Sequence, residues 1–388
     1  MSAYPLACCS LAIAALVAFA VDAPAPKDVA KLIEQLGSED FDQREAASKR
    51  LDALGEPALE PLRKAAESHT DAEVRRRSAE IANALDRRLY GEVQAYLGHS
   101  NGLWTVALSP DGKRLLTASD DKSMRLWDAA TGKELRQFVD PNSPVTCAVF
   151  SPDGKLALCG NGDTGTSGNV LRLYDVETGA LLRTFERHRQ EVCGVAFVPS
   201  GKQCLSVSRD QTARLWDVAS GEEVRRYEGH TNLVRNVTVS PDGKRVMTAS
   251  FDNTVRLWDL ETAEELLRLS GHTDLGMGAS FSPDGTRALT TGSDRTIRLW
   301  DLMTGKQLTA MTGHVGITYS AVFTPDGRRA VSSGEDGTIR TWDLTAGKEI
   351  RKYEGHTDYV RFLILSHDGR FAFSASKDHT ARKWSVGK

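Results

Sequence analysis

Histidine is the side chain here best suited to moving protons, and it recurs. Gly98-His99, Gly229-His230, Gly271-His272, Gly313-His314 and Gly355-His356 share one marker, with Arg187-His188 as a variant. A histidine next to a carboxylate could serve acid–base catalysis. Copies in one repeating phase argue against it, because catalysis needs such a pair once and an architecture needs it in every repeat. Gly160-Asn161-Gly162-Asp163-Thr164-Gly165 spells G-x-G-x-x-G. In dinucleotide folds that motif opens a helix whose N-terminus holds the pyrophosphate. A strand is expected next here, so the match is accidental. Arg75-Arg76-Arg77 reads as a solvated helix face rather than a phosphate site. The chain has no G-x-x-x-x-G-K-S/T, H-E-x-x-H, G-x-S-x-G or C-x-x-C. No catalytic residue, metal or cofactor is expected.

The elements that position these histidines follow from a second marker. Trp-Asp stands at Trp127-Asp128, Trp216-Asp217, Trp258-Asp259, Trp300-Asp301 and Trp342-Asp343; Tyr174-Asp175 and Trp384-Ser385 fill the same phase. From Tyr174 through Trp384 the step is 42 residues; Trp127 to Tyr174 is 47. The fourth copy gives strand a at 234–240, a Pro241-Asp242-Gly243 turn, strand b at 245–250, strand c at 254–259 and strand d at 265–269. Pro presets φ and Gly takes the left-handed position, which predicts a three-residue hairpin loop. Ser/Thr-Pro-Asp-Gly recurs at 109–112, 151–154, 282–285 and 324–327, with variants Pro199-Ser200-Gly201 and His367-Asp368-Gly369. A period near 40–45 with these markers fits four-stranded propeller blades.

Over residues 91–388 the chain resembles the WD40-repeat family. The resemblance implies an all-β seven-bladed propeller, here preceded by a small all-α helical domain. It also implies one buried hydrogen-bonded set of His, Ser/Thr, Asp and Trp per blade. The matched positions are His99, Asp121 and Trp127; His188, Ser208, Asp210 and Trp216; His230, Ser250, Asp252 and Trp258. The later blades give His272, Asp294 and Trp300; His314, Asp336 and Trp342; His356, Ser376, Asp378 and Trp384. Blade two departs: it reads Val139-Asp140-Pro141-Asn142-Ser143-Pro144 where a histidine is expected, has Tyr174 for Trp, and carries extra residues within 160–169. The chain stops after strand c of the last blade, so Glu92–Leu97 is expected to supply its strand d and close the ring.

Residues 24–90 change character: Gly is rare, and apolar residues step at helical spacing. Breaks near Gly37-Ser38, Gly55-Glu56-Pro57 and Ser68-His69-Thr70 predict four short helices, with Thr70 and Glu73 as a capping box for the last. Arg44-Glu45-Ala46-Ala47 and Val74-Arg75-Arg76-Arg77 resemble HEAT-type repeats; a small helical cap is the other reading. Residues 1–23 contain an apolar run, Leu6–Val21, short for a membrane span. It fits a signal peptide cleaved near Ala20 or Ala23, or an uncleaved membrane tether. The protein is expected to be exported, periplasmic or secreted.

The chain has 388 residues, 49 Lys+Arg against 52 Asp+Glu, and a net charge of −3. This balance argues against a nucleic-acid surface. Cys8 and Cys9 lie in the apolar run. The turn geometry sets Cys147 opposite Cys159, Cys193 opposite Val207 and Cys204 opposite Ala196. Export permits a Cys147–Cys159 disulfide, although directly opposed pairs are strained, and buried free thiols are the other expectation.

By resemblance, one residue per strand a lines the top mouth of the central channel: Trp104, Thr146, Cys193, Arg235, Met277, Tyr319 and Arg361. Leu233, Phe251, Leu275, Ile317 and Tyr359 should lie on the same face. Aromatics and Arg beside an apolar rim are what protein hot spots use. The expected function is therefore non-catalytic: an exported, monomeric scaffold that binds a protein or peptide through Trp104, Arg235, Phe251, Tyr319, Tyr359 and Arg361. The rival is a small-ligand sensor or enzyme at the channel mouth, for which the ring lacks an evident general base.

Overall fold

The computed structural model describes residues 26–139, 143–162 and 169–387. The apolar run with Cys8 and Cys9, the segment 140–142 and the middle of the blade-two loop lie outside the described residues. The described chain forms two compact units that divide between Leu89 and Tyr90.

The first unit holds α1 (Pro26–Gln35), α2 (Phe41–Leu54), α3 (Glu56–Ser68) and α4 (Ala72–Leu89). Its breaks fall where glycine and short polar residues end the helical period. Leu36, Leu51, Leu62 and Leu85 are fully buried in its core. Asp40 caps α2 by accepting the Asp42 N–H. Asp71 does the same for α4, accepting from the Glu73 and Val74 N–H groups at 2.7 and 3.2 Å. The cap of α4 is thus Asp71 rather than Thr70: a carboxylate one residue closer to the helix outcompetes the hydroxyl. The two hairpins share a further device. Arg44 donates to the Ser38 and Glu39 carbonyls, and Arg75 to those of His69 and Thr70. Arg76 pairs with Glu73 and Glu80, and Arg77 with Glu73 and Glu45. No helix of the described residues is long and apolar enough to cross a membrane.

The second unit is seven four-stranded antiparallel sheets, six of them in chain order. The seventh is completed from the other end of the unit: Gly91–Tyr96 pairs with Ala381–Ser385 as its outermost strand. Glu92 there receives Arg382 at 2.5 Å, the same contact that Glu265 makes with Arg256 inside blade four. The ring closes with side chains as well as backbone, so strand c of the last blade is not left as an unpaired edge.

The local rules are legible in blade four. Trp258 is buried, while Asp259 accepts the Glu261 and Thr262 N–H groups and fixes the c–d turn. Gly229 precedes His230 because a Cβ there would sit 2.6 Å from the Arg256 guanidinium and 3.3 Å from the Trp258 ring. Gly243 holds φ +69° in the a–b turn, a conformation that favours glycine. That turn is one residue longer than expected, since the Ser240 N–H bonds the Arg245 carbonyl and 241–244 form the loop.

The longer loop corrects the cysteine register. Cys147 stands opposite Gly160, and Cys159 opposite Ala148. Cys204 pairs with Phe197, and Gly194 rather than Cys193 faces Val207. Cys147, Cys159, Cys193 and Cys204 are buried free thiols. Burial pushes the Cys193 thiol up to about 12, far from a reactive thiolate.

Candidate functional site

Two kinds of polar cluster repeat around the ring, and only one faces solvent. The inner kind is the histidine set. In blade four the Trp258 indole N–H donates to Thr248 Oγ1 at 2.8 Å, Thr248 lies 2.8 Å from His230 Nε2, and His230 Nδ1 lies 2.7 Å from Asp252 Oδ2. A carboxylate can only accept, so in the neutral imidazole the proton sits on Nδ1, and the hydroxyl, which accepts from the indole, gives its own hydrogen to Nε2. Every donor and acceptor in the chain is used, which is a structural arrangement rather than a poised base.

The same set recurs with Thr117, Ser206, Thr290, Ser332 and Ser374 as the hydroxyl. This corrects the sequence assignment, which placed the hydroxyl two residues later. Ser208, Ser250 and Ser376 instead donate to carbonyls of the preceding d–a loop and accept from the backbone of the b–c turn. Strand periodicity explains the slip, because residues two apart share a face and only their depth differs. In blade two Cys159 occupies the hydroxyl position, and Tyr174 packs on Phe138 at 5.2 Å.

The aspartates of these sets are strongly perturbed. Burial alone would raise the Asp121 carboxyl, but hydrogen bonds from His99 and Ser123 outweigh it and hold it well below the usual range. Asp210, Asp252, Asp294, Asp336 and Asp378 are depressed by the same balance. Burial lowers the His188 and His356 imidazoles.

The outward-facing cluster is the channel mouth. Each strand a carries a β-bulge against strand b. In blade four Val234 pairs with Ser250 and Asn236 with Ala249, which leaves Arg235 as the extra residue. Trp104, Cys193, Tyr319 and Arg361 are the extra residues of their blades. A bulge re-aims a side chain, and here it turns one per blade into the channel. One recess of about 290 Å3 is lined by Trp104, Arg235, Phe251, Tyr319, Tyr359 and Arg361 together. Arg361 lies over the Trp104 ring at 3.8 Å and Arg235 over it at 5.3 Å, so the indole is flanked by two guanidinium groups. Tyr319 and Tyr359 stand 6.2 Å apart. Burial, reinforced by Glu335, pushes the Tyr319 hydroxyl up to about 12, so it remains a donor.

The mouth also holds charges that the sequence reading missed. Asp120 accepts the Trp104 indole N–H at 2.6 Å and pairs with Arg361 at 3.2 Å. Glu191 pairs with Arg209 at 2.6 Å. Arg235 donates to the Cys193 carbonyl at 3.1 Å and has no carboxylate within ion-pair distance among the described residues. Asp120, Arg209, Ser293, Glu335 and Lys377 all share the b–c turn phase of Phe251, each donating its N–H to a d–a loop carbonyl. That phase was the available signal. Selecting Phe251 for its ring passed over the charged residues in the same place. No three His, Cys, Asp or Glu of the described residues gather as metal ligands.

A seven-bladed ring with an inner His–Asp–Trp set defines a repeat propeller. The family described as WD domain, G-beta repeat matches residues 91–128, 132–175, 179–217, 221–259, 263–301, 305–343 and 347–385, and the chain belongs to it. Its propellers are typically protein-interaction scaffolds and generally non-catalytic. Three relatives share about one-sixth of the chain. Eukaryotic translation initiation factor 3 subunit I of Phaeosphaeria nodorum is 39% identical over 66 residues, which is 17% of this chain and 20% of the relative. An uncharacterized WD repeat-containing protein of Synechocystis is 35% identical over 69 residues, 18% and 20%. A ribosome biogenesis protein BOP1 homolog of Drosophila mojavensis is 34% identical over 67 residues, 17% and 8%. The chain thus spans a fifth or less of these relatives.

Proposed function

We propose that the protein is a non-catalytic scaffold that holds a protein or peptide partner at the channel mouth. The observation that carries this is the convergence of Trp104, Arg235, Phe251, Tyr319, Tyr359 and Arg361 on one half-buried recess. Aromatic side chains supply buried area at low entropic cost, and Arg235 lacks a carboxylate that a partner could provide. Asp120 and Glu191 are already engaged by Arg361 and Arg209, which fits orientation of the wall better than catalysis. The partner classes of the relatives, translation initiation and ribosome biogenesis, lie in proteins that share only short stretches with this chain and are not transferred to it. Export belongs to the same proposal and rests on Leu6–Val21. N-terminal sequencing of the protein from its native cell checks that part: a start near Val21 or Pro24 supports cleavage, and a start at Met1 or Ser2 contradicts it.

The test of the main reading compares cross-linked pull-downs of wild type and a Trp104→Ala/Arg235→Ala/Tyr319→Ala/Arg361→Ala variant, both shown to be folded. A partner kept by wild type and lost by the variant is the expected result. Identical partners in both would move recognition away from the mouth.

A further inference from the structure

The seams between blades are filled by a small set of repeated contacts, and the seam between blades six and seven lacks three of them. The residue before the strand-c aromatic is Leu126, Leu173, Leu215, Leu257 and Leu299 in blades one to five, each at most 4% exposed and packed in the blade interfaces. In blade six it is Thr341. The side chain that opens strand b also reaches the next blade. Arg245 donates to the Gly285 carbonyl at 2.8 Å and lies over Phe281; Arg287 does the same with Gly327 and Phe323. Arg329 is the blade-six counterpart, and Leu365 stands where it would meet a phenyl ring. Its guanidinium makes no hydrogen bond or ion pair within 4 Å among the described residues, although Asp326 and Asp343, the latter opposite it on strand c, act on it electrostatically.

The three changes coincide in space. A pocket of about 250 Å3 opens between blades six and seven, walled by Val331, Thr341 and Val386, with Arg329, Asp326 and Asp368 at its edge. Both carboxylates have their hydrogen bonds elsewhere, although Asp326 also acts on Arg329 through space. Asp326 accepts from the Thr324 hydroxyl and the Arg328 N–H, and Asp368 pairs with Arg370 at 2.5 Å. Blade seven also lacks the leucine, yet its seam is filled: Lys383 lays its stem over Phe371, the ammonium 4.3 Å from the ring centroid. The seam between blades seven and one departs at the same three positions, with Lys383, Phe371 and Leu108, so the gap beside blade six follows from a short Thr341 standing where Lys383 is long.

We propose that this seam is a binding site for a small apolar carboxylate: the hydrocarbon part fills the space of the missing leucine and the carboxylate pairs with Arg329. The size fits. An engineered cavity of about 150 Å3 takes up benzene, so this pocket has room for a ring and a short arm. The charge fits as well: the guanidinium is held only by the longer-range pull of Asp326 and Asp343, so its hydrogen-bonding fork is open to a carboxylate. The site is independent of the channel mouth.

The test is calorimetric titration of the full chain with 3-phenylpropionate and with its neutral analogue 3-phenylpropan-1-ol. The acid is expected to bind roughly tenfold tighter than the alcohol, the scale of one charge-assisted pair. Arg329→Gln should remove that advantage while leaving alcohol binding unchanged. Thr341→Leu, which restores the residue of blades one to five, should abolish binding of both. Arg235→Ala should bind the acid as wild type does. Equal affinity for acid and alcohol, no binding of either at millimolar concentration, unchanged binding by Thr341→Leu, or loss in Arg235→Ala would each overturn the proposal. Arg329→Gln carries the test by itself where Thr341→Leu does not fold.

Discussion

The histidine sets and the channel mouth draw on similar chemistry, aromatic rings beside cations and carboxylates, and put it to opposite ends. In the sets the residue types barely vary over six blades, the side chains are buried, and the linked polar atoms all have partners within the set or its turn. At the mouth the bulged residue differs between successive blades, with only arginine used twice, exposure is intermediate for Trp104, Arg235, Tyr319 and Arg361, and Arg235 has no carboxylate within ion-pair distance among the described residues. One backbone repeat thus carries an invariant layer and a variable one. The invariant layer can be uniform because it answers only to its own blade. The variable layer departs blade by blade because all seven meet around one channel.

The strongest way to break the comparison is to remove a contact on which the whole ring depends. Deleting Gly91–Tyr96 strips blade seven of its outer strand and of the Glu92–Arg382 pair. The expected result in a calorimetric scan is loss of the cooperative propeller transition. An unchanged melting temperature would mean that closure does not need this strand. No mouth substitution should approach this effect.

Next in size is a single set. Asp252→Ala leaves His230 Nδ1–H buried with no acceptor and frees the Thr231 N–H as well. A buried donor left without its acceptor costs about 1–3 kcal/mol, so the urea midpoint should fall by a corresponding amount at unchanged slope. A loss below about 1 kcal/mol would put this layer in the range of surface contacts. Blade two sharpens the point, since Cys159 and Tyr174 stand there in place of hydroxyl and indole, and its strands still pair with the same bulges as the other blades.

The same layer predicts the response to acid. Six aspartates have folded pKa values below their unfolded value near 3.9, so in the unfolded state they take up protons at higher pH. Their contribution is complete above about pH 4–5 and is lost as the pH falls toward the folded values. His188 and His356 are also lowered, so the unfolded chain charges them first, from roughly pH 6.5 downward. Stability followed by urea midpoint should be flat above neutrality, decline gently below about pH 6.5, and fall steeply below about pH 4. A curve flat to pH 3 would contradict the protonation assigned to the sets.

Much of the ring was legible before any coordinate, because Trp258-Asp259 and Gly229-His230 each do a local job that needs those residue types. The spacing of Glu92 from Arg382 along the chain carries no such signal; only the missing last strand pointed to it. The register errors at Cys147 and Cys193 came from a loop one residue longer than Pro-Asp-Gly implies and from bulges, which leave no mark on composition. Ser250 was mistaken for Thr248 because alternate residues on a strand are equivalent in sequence and differ only in depth. At the mouth, the resemblance led to Arg235 and Tyr319, which line one recess, whereas Asp120 and Glu335 were invisible to a search for apolar and aromatic anchors.

The smallest expected effect on stability bears most directly on function. Arg235 contributes one hydrogen bond to the Cys193 carbonyl and a distant contact with the Trp104 ring, and it is half-buried. Arg235→Ala removes no buried counter-charge, because the side chain pairs with none. Its cost should stay within about 0.5–1 kcal/mol, the range of a single net hydrogen bond. Recognition should respond differently: if a partner carboxylate docks between the guanidinium and the indole, Arg235→Ala should weaken binding at least tenfold, and Arg235→Lys should restore only part of it. Lysine keeps the charge but loses the planar fork that stacks on Trp104. Equal binding by all three would show that the unpaired cation is a feature of the wall alone. Recognition would then have to come from Trp104, Tyr319 and Tyr359 through apolar area, with no dependence on salt.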